Sequence, residues 1–504
     1  MTTAPAFLAF DLGATSGRAV LGRLDDERLS LEEVHRFPNG PVCVGDSLYW
    51  DILRLWDEML RGLALAATKA GDSLASLGVD TWGVDFGLLA ADDTLLGNPY
   101  HYRDARTDGM MEAAFAVVPR DEIYAETGIQ FMQLNSLYQL LALARADAPA
   151  LRIAKRFLNI PDLLNFWLSG VKASEFTIVS TTQAYNPVTG DWAWGLLERL
   201  GIPAAPFGEI VPPGTPLGPL RPSVTRETGA PPVQVIATAG HDSAAAVAAI
   251  PAEVPDYAYI SSGTWSLMGV ETQTPVINAA SLAANLTNEG GVNGTIRLLK
   301  NIMGMWLIEE CRRAWAQAGR TYSYAELTAL AESAPPFAAF IWPGDARFLA
   351  PGGMPTRIAA ACVESSGAAP DGPGPLVRCI LESLALEYRR VLELIEAVQG
   401  RRVSVVHVVG GGSRNTLLNQ FTANAIGRPV VAGPVEATAT GNILVQAVAT
   451  GHVASIAEGR ALLRRFVETT TYEPTDTAVW GDAYGRYKAL VARLEAGEGD
   501  GIKA

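Results

Sequence analysis

Two stretches of the chain follow one pattern: an apolar run, a short turn of Gly, Ser and Thr, then a second apolar run. The first is FLAFDLGATSGRAVLG at residues 7–22 and the second YAYISSGTWSLMGV at residues 257–270. Each predicts an antiparallel hairpin. Their placement in two halves of the chain points to an internal duplication. Residues 52–66 put Ile52, Leu55, Trp56, Met59, Leu60 and Leu63 on one helical face. SLGVDTWGVDFGLLA at 76–90 reads as strand, Gly break, strand. VQVIATAG at 233–240 is a buried strand, and DSAAAVAAI then opens a helix of small residues. Val377, Ile380, Leu384, Tyr388, Val391, Ile395 and Val398 form the apolar stripe of a helix over 376–398, stopped by Gly400. VSVVHVVGGGSRN at 403–415 is a buried strand running into a glycine turn, and a second small-residue helix follows near Gly441–Val448.

Strands alternate with helices throughout, so the expected class is α/β. The Pro/Gly-rich segment 212–232 reads as a surface excursion or a linker. Two domains are expected, 1–243 and 244–496, with 497–504 a frayed tail.

Composition narrows the class. Apolar residues make up 49% and charged residues 18% of 504, which is globular rather than disordered. Thirty-nine basic against 53 acidic side chains leave a net charge of −14, which argues against non-specific nucleic-acid binding. Four cysteines cannot form a disulfide framework and are expected as free thiols in a reducing cytosol. MTTAPAFLAFDLG has no basic region and its apolar run stops at Asp11, unlike a signal peptide. The longest uncharged run, Ala437 to Ala457, is too polar for a membrane span.

Four constellations could carry chemistry. Asp11 followed by Gly13-Ala14-Thr15-Ser16-Gly17-Arg18 could cradle phosphate oxygens on backbone N–H groups, with Asp11 placed for Mg²⁺ directly or through water; a plain surface hairpin is the alternative. Ser261-Ser262-Gly263-Thr264 offers the same chemistry, or an ordinary turn. Gly410-Gly411-Gly412-Ser413 lets backbone approach a flat ring or ribose, or simply turns tightly into a helix. It is neither GxxxxGK[ST] nor GxGxxG. In Gly240-His241-Asp242-Ser243, Asp242 is either a helix cap or a carboxylate that can accept a hydroxyl proton.

Weaker candidates are the Trp82-Gly83 break, the Tyr102-Arg103-Asp104 cluster with Arg106, which reads equally as a solvated loop, and Lys300-Asn301, where Asn301 could cap the next helix. Trp265, Trp306 and Trp315 read as core. No zinc spacing and no nucleophile elbow occur.

The order of these pieces resembles the FGGY carbohydrate kinases of the actin-like ATPase superfamily. FDLGATSGR, VDTWGVDFGLL, YRDARTDG, SSGTWSLMGVETQTP, LLKNIMGMWL, VVGGGSRNTLLNQ and AGPVEATATGN carry the resemblance, from residue 8 to about 442. It implies two actin-like, ribonuclease H-like domains with sugar and ATP in a cleft between them, and a cytoplasmic enzyme that phosphorylates a ketose. The implied partners are a small ketose and ATP, with Mg²⁺ as cofactor and neither nucleic acid nor membrane. By the same resemblance, Ala14, Thr15, Ser16, Gly17, Arg18, Thr264 and Gly411 contact ATP. Gly83, His241, Asp242, Ser243 and Asn301 contact sugar. Asp242 is the proton acceptor, and Asp11 holds Mg²⁺ through water. The chain departs from the family pattern at Glu309, where Gln is usual. A carboxylate there could bond a ribose hydroxyl but would repel phosphate. A kinase of a neighbouring sugar or polyol, a non-catalytic sensor and a chaperone-like ATPase are the alternatives. Asp11, Asp242 and Thr264 speak against the sensor, and no peptide-binding segment is visible for the chaperone.

Overall fold

The computed structural model describes residues 4–25 and 28–501, with side chains through 497. By packing, the chain divides into two units. The first comprises 1–252, 271–299 and 436–467, and the second 253–270, 300–435 and 468–504. Position 243/244, the expected domain boundary, falls within the helix Asp242–Ala248, which belongs wholly to the first unit.

The first unit is built on a six-stranded sheet. Its order is Thr215–Pro219, Gln234–Ala237, Leu74–Thr81, Ala6–Leu12, Ser16–Leu24, Leu29–Pro38. Ala6–Leu12 is buried along its whole length, which explains its apolar run up to Asp11. It pairs antiparallel with Ser16–Leu24, forming the first predicted hairpin, and parallel with Leu74–Thr81. Helices cover both faces. Ala19 meets Gly62 of the Ile52–Ala70 helix, while Gly22 meets Ile443 of the Ala437–Ala449 helix. An odd separation along one strand puts these contacts on opposite sides.

The expected break at Trp82-Gly83 is a real departure from the sheet. Val84 takes a left-handed φ of 68°, rare for a β-branched residue, and the chain turns away. The next strand, Phe86–Leu89, pairs with Arg156–Asn159 instead. The Pro/Gly-rich segment is an edge strand, Thr215–Pro219, and a short helix, Pro222–Thr228. Prolines are tolerated there because an edge strand leaves N–H positions unpaired.

The second unit repeats the motif. Tyr257–Ser262 pairs antiparallel with Trp265–Thr272 and parallel with Val405–Val409, as Ala6–Leu12 does with its two neighbours. Val430–Ala432 and Thr470–Tyr472 extend the sheet. The long helix Pro373–Gln399 ends at Gly400, whose φ of 68° lets its N–H reach Glu396 O. The last helix runs to Gly501, into the segment expected as a frayed tail. Residues 502–504 of that segment lie outside the described residues.

Candidate active site

The first-unit hairpin turn is braced from outside. Gly13 N donates to Ser16 O at 2.9 Å, Asn39 Nδ2 donates to Gly13 O at 2.8 Å, and Asn39 N donates to Thr15 O at 3.0 Å. Ala14, Thr15 and Ser16 stay partly open, while Gly17 is buried. Arg18 forms ion pairs with Asp11 and Glu436. Burial works against the guanidinium's charge, but the two carboxylates outweigh it and push its pKa up. Asp11 lies opposite Asp80 in the parallel ladder. Among the described residues, no three His, Cys, Asp or Glu side chains cluster at metal-binding distance. A single carboxylate beside this turn still fits Mg²⁺, which keeps several waters and takes few protein ligands.

The Gly240–Ser243 loop is held by its backbone. Thr81 N donates to Gly240 O at 2.9 Å, Gly240 N donates to Glu175 Oε2 at 2.9 Å, and His241 N donates to Thr177 Oγ1 at 3.2 Å. Glu175 also accepts from Thr177 N and Oγ1 and from Ile178 N. Burial pushes Glu175 up to about 7, with these hydrogen bonds resisting. His241 occupies the cap position of the helix and makes no side-chain capping bond; Asp242 is the first helical residue. The capping alternative for Asp242 is therefore corrected: the chain enters the helix one residue earlier than the pattern suggested. About a third of the Asp242 side chain is open. Its pKa is raised, first by burial and also by the charge of Asp11, while His241, the Ser243 N–H and Arg297 pull the other way. His241 Nε2 stands 3.5 Å from Asp242 Oδ1. A Cβ added to Gly83 would lie 3.4 Å from the same Nε2, so Gly83 and the His241–Ser243 segment are brought together.

Beneath Trp82 lies a buried box rather than the solvated loop considered for residues 102–106. Asp85 accepts from Trp50 Nε1 at 2.6 Å, Trp82 Nε1 at 3.0 Å, Tyr102 N at 3.1 Å and Gln139 Nε2 at 2.9 Å. Burial raises Asp85 to about 6, and the side-chain donors limit the rise. Arg106 donates to Gln139 Oε1 at 2.6 Å and lies over the Tyr100 ring. Asp104 is buried, accepting from Leu48 N and Arg106 N. The polar residues face inward because Asp85 and two backbone N–H groups need them.

In the second unit, the Gly263–Thr264 turn is tied down by the start of the helix Trp306–Gln317. Gly304 N and Trp306 N donate to Thr264 O, and Met305 N donates to Gly263 O. Gly410–Gly412 packs on this hairpin: a Cβ on Gly412 would stand 1.9 Å from Ser262 Oγ. Gly411 is the opposite case, exposed and with nothing within 4 Å of an added Cβ. Thr264 and Gly411 thus sit on neighbouring turns, with Gly411 open to a ligand. Asn301 lies inside the strand Ile296–Met303 and does not cap the following helix, whose cap position is Met305. Strand pairing carries the chain past it before the helix begins. Glu309 accepts from Arg312 Nη1 at 2.7 Å and from Tyr324 OH at 2.9 Å, so its charge is engaged within its own unit. Trp306 is core, donating to Phe348 O.

Sequence reasoning did not single out Glu175, Glu289, Arg297 or Asn442. Asn442 donates to Asp80 Oδ2 at 2.6 Å across 362 residues of chain, a partnership without local signal.

This pair of hairpin units, each with a Gly/Ser/Thr turn, defines a class that the family matches name. The model for the FGGY carbohydrate kinases' N-terminal domain matches residues 6–249, and that for their C-terminal domain matches residues 258–450. The chain belongs to the FGGY family of carbohydrate kinases. It is 50% identical over 485 residues to a rhamnulokinase of Bacteroides thetaiotaomicron, covering 96% of this chain and 99% of that one. It is 41% identical to a rhamnulokinase of Oceanobacillus iheyensis, covering 92% and 97%. Among solved structures, xylulose kinase from Lactobacillus acidophilus superposes with a TM-score of 0.79 at 16% identity, covering 98% and 99%. Plasmodium falciparum glycerol kinase with ADP gives 0.77 at 15%, covering 97% and 98%. The two-domain α/β sugar-kinase fold expected from the motifs is thereby established. No helix among the described residues is long and apolar enough to cross a membrane.

Proposed function

We propose that this chain transfers the γ-phosphoryl group of ATP to O1 of L-rhamnulose, giving L-rhamnulose 1-phosphate and ADP in L-rhamnose catabolism. The observation that carries the sugar assignment is 50% identity to a rhamnulokinase over 96% of the chain. Asp242 takes the proton of the O1 hydroxyl. The oxygen attacks the γ-phosphorus in line, and the bond to the β-bridging oxygen breaks, releasing ADP. A carboxylate with a raised pKa is a stronger proton acceptor, which suits a general base. Gly83, His241 and Ser243 hold the sugar, joined by Asn301.

Residues 14–18, Thr264 and Gly411 bind ATP, their N–H and O–H groups directed to phosphate oxygens and ribose. Asp11 would hold Mg²⁺ through water, and the ion would neutralise charge on the β- and γ-phosphate oxygens. Positioning and fixed dipoles supply most of the rate in phosphoryl transfer. We read the enzyme as cytoplasmic, in keeping with its free cysteines.

The test is an ADP-release assay over L-rhamnulose, L-fuculose, D-xylulose and glycerol. L-Rhamnulose should give the highest kcat/KM. D-Xylulose or glycerol ahead of it by about tenfold, some 1.4 kcal/mol of transition-state binding, overturns the assignment.

A further inference from the structure

Arg297 has no solvent exposure, and every nitrogen of its guanidinium is engaged. Nε donates to Gly290 O at 2.8 Å and Nη1 to Ser243 Oγ at 2.8 Å. Nη2 reaches Glu289 Oε2 at 3.2 Å and His241 Nδ1 at 3.1 Å. A guanidinium carries donors only and keeps its proton in proteins. The ring nitrogen it meets must therefore accept, and an accepting imidazole nitrogen carries no hydrogen. A neutral His241 then bears its hydrogen on Nε2.

Of the two other neighbours of the ring, one is indifferent and one competes with Arg297. Ser243 Oγ is 3.2 Å from Nδ1 and 3.3 Å from Nε2, so it favours neither nitrogen. Glu289 Oε2 lies 3.3 Å from Nδ1 and could accept a hydrogen from it, but the same oxygen already faces Arg297 Nη2 at 3.2 Å, which supplies one. A hydrogen on Nδ1 would set an N–H against the N–H of Arg297. On the other side, Nε2 faces Asp242 Oδ1 at 3.5 Å and the backbone of Gly83.

We propose that Arg297 is a positioning residue that fixes His241 as the Nε2–H tautomer, so that His241 offers a sugar oxygen a hydrogen-bond donor beside Asp242. Resting on the assignment of His241 and Asp242 to the sugar side, this divides the labour between adjacent residues. His241 donates, Asp242 accepts, and the ring cannot compete for the O1 proton. Glu289 completes the arrangement as the counter-charge of Arg297.

The experiment is imidazole ¹⁵N NMR on the full chain labelled at histidine. Five histidines make the spectrum tractable, and His241→Gln assigns the signal. In the ligand-free protein at neutral pH, Nδ1 should resonate as an unprotonated nitrogen and Nε2 as a protonated one. L-Rhamnulose should shift the Nε2–H signal. In Arg297→Met the two tautomers should mix, and KM for the sugar should rise about tenfold or more with a smaller change in kcat. Glu289→Gln should leave the tautomer unchanged. A protonated Nδ1 in the wild type overturns the proposal, and needs no variant to fold. So does an Nε2 signal unmoved by a sugar that the enzyme phosphorylates. A wild type without ketose kinase activity instead fails the functional assignment, while the tautomer is still read in the free protein.

Discussion

Asp80 stands directly opposite Asp11 in the parallel pairing of Leu74–Thr81 with Ala6–Leu12. The two carboxyl groups have unlike surroundings. Asp11 is paired with Arg18, whereas Asp80 is fully buried and accepts from Asn442. Burial, then the charge of Asp11, push the Asp80 pKa well above the carboxylate range, and Asp242 adds to the rise. Of the two, Asp80 is the one whose charged form its burial disfavours.

Asp242→Asn separates chemistry from fold. With His241 at the cap position, the substitution removes only a charge near a helix N-terminus, worth about 0.3–1 kcal/mol. A thermal melt should move little. Turnover should fall roughly 10²–10⁴-fold, because an amide cannot take the O1 proton. Activity within about threefold of wild type would show that Asp242 is not the base.

Glu175 makes stability depend on pH in a stated direction. Its folded pKa of about 7 lies above the ordinary 4.5, so the folded state holds a proton that the unfolded chain has released. Stability should fall as pH rises between these values and level off above. Glu175→Gln should be less stable throughout, since whichever way the amide turns its NH₂ cannot accept, either from Thr177 N or from Gly240 N and Ile178 N. The wild-type advantage should nevertheless shrink as pH rises from about 5 to 8 in denaturant titrations. A constant gap would contradict the raised pKa.

Gly411 and Gly412 should respond oppositely to alanine. Gly412→Ala forces a Cβ into Ser262 Oγ and should cost about 1–3 kcal/mol of stability. Gly411→Ala meets open space and should stay within about 0.5 kcal/mol of wild type, while raising KM for ATP. Equal melting shifts would refute the packing described, and an unchanged KM would remove Gly411 from the nucleotide contacts.

Cys43 is exposed; Cys311, Cys362 and Cys379 are buried free thiols, with Cys362 Sγ 3.5 Å from Cys379 Sγ. Thiol titration should find one fast-reacting group in the native protein and four after denaturation without reductant. A denatured count near two would indicate a Cys362–Cys379 bridge.

Local pattern made much of this molecule legible. Both hairpins, the Pro373–Gln399 helix and the Gly410–Gly412 turn follow from periodicity and glycine placement alone. The GHDS loop reads from sequence as a candidate for chemistry, but its supports do not. Glu175 and Arg297 lie far from it in sequence, inside segments whose apolar patterns hide a buried ionisable group. The return of 271–299 and 436–467 to the first unit was equally hidden. Such closures depend on which distant surfaces fit, and no short window records that. Val84 is the converse case: a β-branched residue in a left-handed turn, where propensity alone predicts continued strand.

The Ala437–Ala449 helix has a consequence for how this protein is made. Gln446 Nε2 donates to Leu8 O and its Oε1 accepts from Ser76 Oγ; Asn442 binds Asp80. The central strands of the first unit thus acquire one covering and several partners from chain synthesised more than 350 residues later. While a ribosome is still extending the second unit, the earliest strands present bare apolar surface and unmet polar groups, the conditions under which nascent chains aggregate. Productive expression should therefore depend on holdase chaperones bound to the growing chain, and a stop codon shortly before residue 437 should yield insoluble protein although the whole of residues 1–252 is present.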